Sequence, residues 1–130
     1  MWLMTSADGA GAFLSIVKKD CRENELLVRA RRSGDIARFL GQRRLECIVT
    51  TADYLVRAPI PVEALVDGFR TSLAAIQYRS YKDSVKDREV HNALIEVWHS
   101  MAKIQHPVPY SDLRSLHRYA DRGGKAHEQR

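Results

Sequence analysis

The sequence has no long hydrophobic run and no secretory signal. No apolar stretch approaches a length of about 20 residues, which is what a helix needs to span a bilayer. The first residues, MWLMTSADGAG, lack the basic start and the apolar run of about 7 to 15 residues that mark a signal peptide. These absences predict a soluble, cytoplasmic protein that does not bind membranes.

Cysteine, proline and glycine are also scarce. Cys21 and Cys47 form no CxxC pair, so neither a disulfide framework nor a thiolate metal site is indicated. With 4 prolines, 7 glycines and 45% hydrophobic residues, the 130-residue chain is typical of one globular domain and not of a disordered polymer.

Motifs that identify enzymes are missing. The chain contains no nucleophile elbow, no phosphate-binding glycine loop and no HExxH pair. The segment DGAG at 8–11 joins two predicted strands, which favours a hairpin turn over a phosphate loop. Glu96 and His99 have i, i+3 spacing, but the second ExxH motif of a carboxylate-bridged site does not occur. We therefore predict no metal and no cofactor, and the balance favours a protein that is not an enzyme.

Positively charged residues are in modest excess. The chain has 21 Lys and Arg against 16 Asp and Glu, which gives a formal net charge of +5 and a pI near 9.5. This excess favours an anionic partner, although its distribution matters more than its sum. Residues 1–106 are predicted to form a single domain, and 107–130 a basic C-terminal tail with a short helix capped by Ser111.

The spacing of apolar residues predicts an α+β fold. Strands are expected at 2–5, 13–18 and 25–31, with two more within 45–60, and Ser33 is expected to cap a short helix that ends at Gly41. Two long helices follow, one from Pro61 and one over 84–105. Their expected inner faces are Val62, Leu65, Val66, Phe69, Leu73 and Ile76, and Val90, Leu94, Val97, Met101 and Ile104. We predict an antiparallel sheet of about five strands with both long helices packed on one face.

Alternation along two strands places three arginines together. If the helices cover the face of Val28, then Arg29, Arg31 and Arg57 share the other face, while Tyr54 is expected on the helix-covered side. The planar fork of arginine suits phosphate and stacked bases. The alternative is a solvated sheet face, or arginines paired with acids from another segment, because no aromatic pair clearly accompanies them.

Histidines in HNALIEVWHSMAKIQH, residues 91–106, raise the question of a second site. His91 and His99 lie about 12 Å apart along a helix, so one metal ion cannot join them. His91 falls on the flank of Trp98, beside the core stripe. A half-buried histidine bonded to a backbone group is therefore favoured over a catalytic acid or base.

Short motifs occur in a fixed order along most of the chain. They are MWL at the start, FLSIV at 13–17, LLVRAR at 26–31, TADY at 51–54, RA at 57–58, IQY at 76–78, YKD at 81–83, and His91 followed by Val97-Trp98. In these motifs the sequence resembles a family of small bacterial proteins of about this length, for which no activity is known. The resemblance covers roughly 1–105, but this chain has Thr51-Ala52 where the family has Gly-Thr, Ser80-Tyr81 where it has Asn-Phe, and Leu94 where it has tyrosine. It implies one groove between sheet and long helix, lined by Asp53, Tyr54, Arg57, Tyr81, Lys82, Asp83, His91 and Trp98.

These observations favour a small binding or adaptor protein that contacts a macromolecule, with nucleic acid or a nucleoprotein as the first partner class. The predicted contact residues are Arg29, Arg31, Arg57, Asp53, Tyr54 and Trp98. One alternative is an enzyme that acts on a phosphate-containing substrate, with His91 as acid or base beside Tyr81, Lys82 and Asp83. Others are a phage- or mobile-element-borne protein inhibitor, and an oligomer subunit with an apolar outer sheet face around Leu27 and Leu55.

Overall fold

Five short strands form one antiparallel sheet, which confirms the predicted α+β class. The computed structural model describes residues 1–6, 9–42, 47–106 and 109. The elements are β1 (Trp2–Thr5), β2 (Ala12–Val17), β3 (Glu25–Ala30), α1 (Asp35–Phe39), β4 (Ile48–Val49), β5 (Val56–Pro61), α2 (Val62–Ala74), α3 (Tyr81–Ser84) and α4 (Arg88–Ala102). Within those ranges, no helix is long and apolar enough to cross a membrane.

The chain divides into two compact units, Met1–Asn92 and Ala93–Arg130. The first contains the whole sheet and the helices α1, α2 and α3, and the second begins within α4. The predicted tail helix after Ser111 lies outside the described residues, and the predicted domain boundary after residue 106 stays a prediction.

The sheet has the strand order β1-β2-β3-β5-β4, with every neighbouring pair antiparallel. Alternate residues of its strands enter the core together with side chains from α1 and α2. The core residues are Leu14, Ile16, Val28, Ala30, Ile36, Phe39, Val56, Ala58, Ile60 and Leu65. Because successive strand residues point to opposite faces, the residues between them form the other side of the sheet.

The short helix α1 begins differently from the prediction. Gly34, not Ser33, occupies the N-cap position, with φ of 88°, a left-handed conformation that glycine adopts without steric cost. Asp35 is buried behind it and accepts a hydrogen bond from Arg38 Nη1 at 2.8 Å. Burial raises the pKa of the Asp35 carboxyl, and the nearby guanidinium groups of Arg32 and Arg38 offset this in part.

The buried face of α2 is narrower than the predicted stripe. Leu65 and Gly68 are buried, whereas Val62, Val66, Leu73 and Ile76 of the predicted stripe are exposed. At Gly68 the helix lies so close to α1 that an added Cβ would be 3.0 Å from the ring of Phe39. Because the contact is made at a glycine, which has no side chain, the hydropathy pattern does not predict it.

The second long helix was predicted over 84–105 but is interrupted near its start. Val85 is extended, with φ of −83° and ψ of 112°, and separates α3 from α4. Asp87 then caps α4, because its Oδ1 accepts the Val90 amide at 3.1 Å. An added Cβ at Gly11, in the first hairpin turn, would lie 2.9 Å from Val85 Cγ1, so the turn packs closely against this break.

The predicted inner face of the same helix is only partly buried. Leu94 is buried and Val90 and Val97 are half-buried, but Met101 and Ile104 are exposed, and α4 ends at Ala102. A period of 3.6 residues identifies one face of a helix, but it does not say how far along the helix that face is covered.

Candidate functional site

A row of side chains crosses the sheet on the side opposite the core. The strand register pairs Trp2 with Ser15, Ser15 with Arg29, Arg29 with Arg57, and Arg57 with Ile48. Directly paired residues of antiparallel strands point to the same face. We call this side the arginine face, defined by Trp2, Phe13, Arg29, Arg31, Tyr54 and Arg57.

Arg29 and Arg57 lie side by side on neighbouring strands. Paired residues in a sheet have Cβ atoms about 4.5 to 5.5 Å apart, and like charges at this position destabilise the sheet. Arg29 Nη2 donates to Ser15 Oγ at 2.8 Å, and Arg57 Nη2 donates to Thr50 Oγ1 at 3.2 Å. The Nε atoms of both arginines are buried and have no hydrogen-bond partner among the described residues. Two like charges are thus held side by side on neighbouring strands.

The ring of Tyr54 stacks against two of the arginines. Its ring is 4% exposed, and the guanidinium carbons of Arg29 and Arg31 lie 4.5 and 4.7 Å from the ring centroid. These are cation–π distances. A guanidinium that stacks on an aromatic ring keeps its in-plane N–H groups available for an acceptor at its edge.

The position of Tyr54 corrects the prediction that it shares the helix-covered face. β5 begins at Val56, so the strand alternation does not extend back to Tyr54. Residues 50–55 form a turn instead, in which Thr50 N donates to the Leu55 carbonyl at 2.9 Å and Thr50 Oγ1 donates to the Tyr54 carbonyl at 2.9 Å. This turn directs the tyrosine ring to the arginine side.

Acidic partners of the three arginines are few. Asp53 Oδ1 lies 4.0 Å from Arg57 Nη2, and its side chain is 64% exposed. The Asp53 carbonyl accepts a stronger bond from Arg31 Nη1 at 2.6 Å. Within the described ranges, this is the only carboxylate within 4.0 Å of the three arginines. An exposed ion pair of this length contributes little, so the described residues leave most of the positive charge on this face uncompensated.

An aromatic pair, which the sequence analysis did not find, lies on the same face. Trp2 is 70% exposed, and its ring centroid is 5.5 Å from that of Phe13, with the rings at 60°. Both residues alternate with core-facing neighbours in the first hairpin, which is a signal that the sequence contains. Only the register of β1 on β2 and of β2 on β3 shows that they share a face with the arginines.

Trp98, the remaining predicted contact residue, belongs to the second unit. It is exposed, and its ring lies 5.1 Å from that of His99 in an edge-on arrangement. The single groove that the family resemblance implies for Trp98 and the sheet residues stays a prediction.

His91 makes the backbone contact that was favoured for it. Its Nδ1 lies 2.6 Å from the Lys82 carbonyl, which accepts the imidazole proton and joins α3 to the start of α4. Tyr81 Oη donates to the Thr5 carbonyl at 3.3 Å, at the edge of β1. Asp83 lines an open groove of about 520 Å³ with Tyr78, Arg79, Ser84 and Lys86, whereas the Tyr81 and His91 side chains bond elsewhere. The catalytic role of His91 with Tyr81, Lys82 and Asp83 stays a prediction.

Tyr81 provides a test of this packing. Burial, with a smaller contribution from Tyr78, raises the pKa of Tyr81 from 10.0 to about 12. The folded chain keeps this proton to a higher pH than the unfolded chain, so the free energy of unfolding falls as the pH rises from 10.0 to about 12. Tyr81→Phe should lower that free energy by about 0.5–1.5 kcal/mol near neutral pH through loss of one hydrogen bond.

The difference in unfolding free energy between wild type and Tyr81→Phe should shrink as the pH rises through this window, because only the wild type loses stability by ionising Tyr81. Urea denaturation at a series of pH values measures it, with Tyr78→Phe as the control that keeps the Tyr81 hydroxyl. A constant difference across the window would contradict the raised pKa.

Two further observations concern a metal site and the oligomer hypothesis. In the parts of the chain that the structure describes, no group of three or more His, Cys, Asp or Glu is placed to hold a metal ion. The oligomer hypothesis places an apolar outer sheet face around Leu27 and Leu55; Leu27 is buried and Leu55 is exposed, and this hypothesis stays a prediction.

Comparison of the chain with family models, with curated proteins and with solved structures finds no match in any of the three. The resemblance to small bacterial proteins therefore stays a prediction. The arginine face and its chemistry carry the functional conclusion.

Proposed function

We propose that this protein is a nucleic-acid-binding module that uses its arginine face to hold the phosphate backbone. The observation that carries the proposal is the pairing of Arg29 with Arg57 on adjacent strands, beside Arg31, with one weakly placed carboxylate among the described residues. Like charges held this close gain most from an anionic ligand, because each phosphate relieves their repulsion and accepts their N–H groups.

The arginines are also preorganised. Tyr54 holds the planes of two guanidinium groups, and the hydroxyls of Ser15 and Thr50 each hold one terminal nitrogen. A side chain that is already ordered loses less conformational entropy on binding. The remaining N–H groups of a fork match the oxygens of a phosphate, which favours arginine over lysine for this task.

The chemistry of the face favours binding over turnover. A guanidinium group does not lose its proton in proteins, so it serves as a hydrogen-bond donor and not as a general base. Asp53 uses its carbonyl on Arg31 and its carboxylate lies largely in solvent. We therefore infer a contact surface.

Fluorescence anisotropy tests the proposal. Labelled single- and double-stranded RNA and DNA are titrated with the wild type at two salt concentrations, and with a variant that carries Arg29→Gln, Arg31→Gln and Arg57→Gln. The wild type should bind in a salt-dependent way. The variant should bind much more weakly, and where its binding is measurable at low salt the slope of log K against log salt should be shallower by about 2 to 3.

A matched control carries Lys19→Gln, Arg70→Gln and Arg88→Gln, which remove the same charge from exposed positions outside the face. Circular dichroism and urea denaturation show whether both variants are folded. Equal losses in the two folded variants would mean that net charge, and not this face, causes binding. No binding by the wild type at low salt would overturn the proposal.

A further inference from the structure

The arginine face carries an exposed tryptophan, and its exposure calls for an explanation. Trp2 lies on the outer strand β1 and is 70% exposed, although a large aromatic ring gains most by burial. Phe13 supports the indole from one side, with its ring tilted at 60°. The ring is therefore held at the surface and accessible to a flat partner.

The register places this ring at a fixed distance from the cations. Trp2 and Arg29 are separated by two strand spacings, which is about 10 Å. Ser15 lies between them, is 1% exposed, and uses its hydroxyl to accept the Arg29 bond. Arg29 therefore reaches across the sheet towards β1, and Arg57 continues the row on the far side.

An aromatic face next to a pair of phosphate-binding donors matches the repeating chemistry of a single strand. Each nucleotide offers one π face and one phosphate, and stacking on an aromatic side chain requires a base that is not paired inside a duplex. A duplex would use the arginines and leave Trp2 without a role. An acidic protein would likewise use charge without stacking.

We infer that the ligand of the arginine face is single-stranded nucleic acid, with one base stacked on Trp2 and a neighbouring phosphate held between Arg29 and Arg57. This inference rests on the proposed function, since it assumes that the face binds nucleic acid. It adds the strand type and assigns Trp2 a role that charge alone does not explain.

The chain has 2 tryptophans, so a Trp98→Phe background makes Trp2 the sole indole reporter. Three probes are titrated: single-stranded oligothymidine of about 12 nucleotides, a duplex of the same length, and inorganic polyphosphate, which has charge but no bases. Oligothymidine should quench the Trp2 emission, and polyphosphate should bind without quenching it.

Variants then separate stacking from charge. Trp2→Ala should weaken oligothymidine binding by about 5- to 150-fold and leave the polyphosphate affinity unchanged. Trp2→Phe should restore part of the affinity, and Trp98→Ala, which removes the other indole, serves as the control. Urea denaturation confirms that each variant is folded.

The two proposals fail in different ways. If oligothymidine, duplex and polyphosphate bind equally and Trp2→Ala changes nothing, the stacking inference is wrong while the polyanion-binding face remains. If none of the three probes binds the wild type at low salt, both proposals are overturned and the face fits an acidic protein better.

Discussion

Replacing Tyr54 with alanine should lower the free energy of unfolding by about 3–5 kcal/mol, the usual cost of removing a buried aromatic ring. The ring is 4% exposed and lies against two guanidinium groups. Its loss would leave a cavity and remove two cation–π contacts, each of which contributes about 0.5–1 kcal/mol or more. Small domains are stable by only about 5–15 kcal/mol, so this single change removes a large share.

Tyr54→Phe is the matched control, because it keeps the ring and both stacking contacts. Its free energy of unfolding should stay within about 0.5 kcal/mol of the wild type, as expected for a change that leaves packing intact. Urea denaturation, followed by circular dichroism and by tryptophan fluorescence, measures both variants. A cost below about 1 kcal/mol for Tyr54→Ala would show that the ring does not support the face.

Charge reversal at Arg57 should separate stability from binding. Arg57→Glu places a carboxylate directly opposite Arg29, and an opposite-charge pair across two strands contributes about 0.2–1 kcal/mol, whereas like charges repel. The substitution also removes the Arg57 bond to Thr50 and places a carboxylate near Asp53, so these losses offset the gain and the free energy of unfolding should stay within about 1 kcal/mol of the wild type. Nucleic-acid affinity should fall by about tenfold to a hundredfold, the range for losing one charge-assisted hydrogen bond of about 1.5–3 kcal/mol.

Arg70→Glu is the control for Arg57→Glu. Arg70 lies on α2, pairs with Asp67 at 2.7 Å and is largely exposed, so the substitution changes the net charge equally at a site away from the arginine face. Anisotropy titrations at matched salt compare the two variants. If both lose affinity to the same degree, the face is not the determinant that we propose. Unfolding of Arg57→Glu would instead contradict the predicted stability.

Much of the fold follows from local patterns. Alternation and turn residues predicted the first three strands, and Arg29 and Arg57 were predicted to lie on the face opposite the core, as the register and the core residues show. The predictions that failed depended on features with no hydropathy signal. Gly34 begins α1, Gly68 sets the contact of α2 with Phe39, and Asp87 restarts a helix after an extended Val85.

The sequence alone predicted only part of the candidate site. Three arginines could be placed on one face because side chains alternate with a period of two within a strand. Trp2 and Phe13 alternate in the same way, but joining them to the arginines requires the register across three strands. Tyr54 was assigned to the wrong side because the strand was expected to begin at Tyr54, whereas the turn that begins at Thr50 continues to Leu55 and β5 begins at Val56.

The sequence by itself therefore determined the class of fold, the excess of positive charge and which residues of each strand share a face. The tertiary structure alone decided that Arg29 lies opposite Arg57, that Tyr54 stacks beneath Arg29 and Arg31, and that Trp2 completes the row. The physical reason is that faces follow from local backbone geometry, whereas register depends on contacts between distant segments, and a slip of one residue would move every side chain to the opposite face.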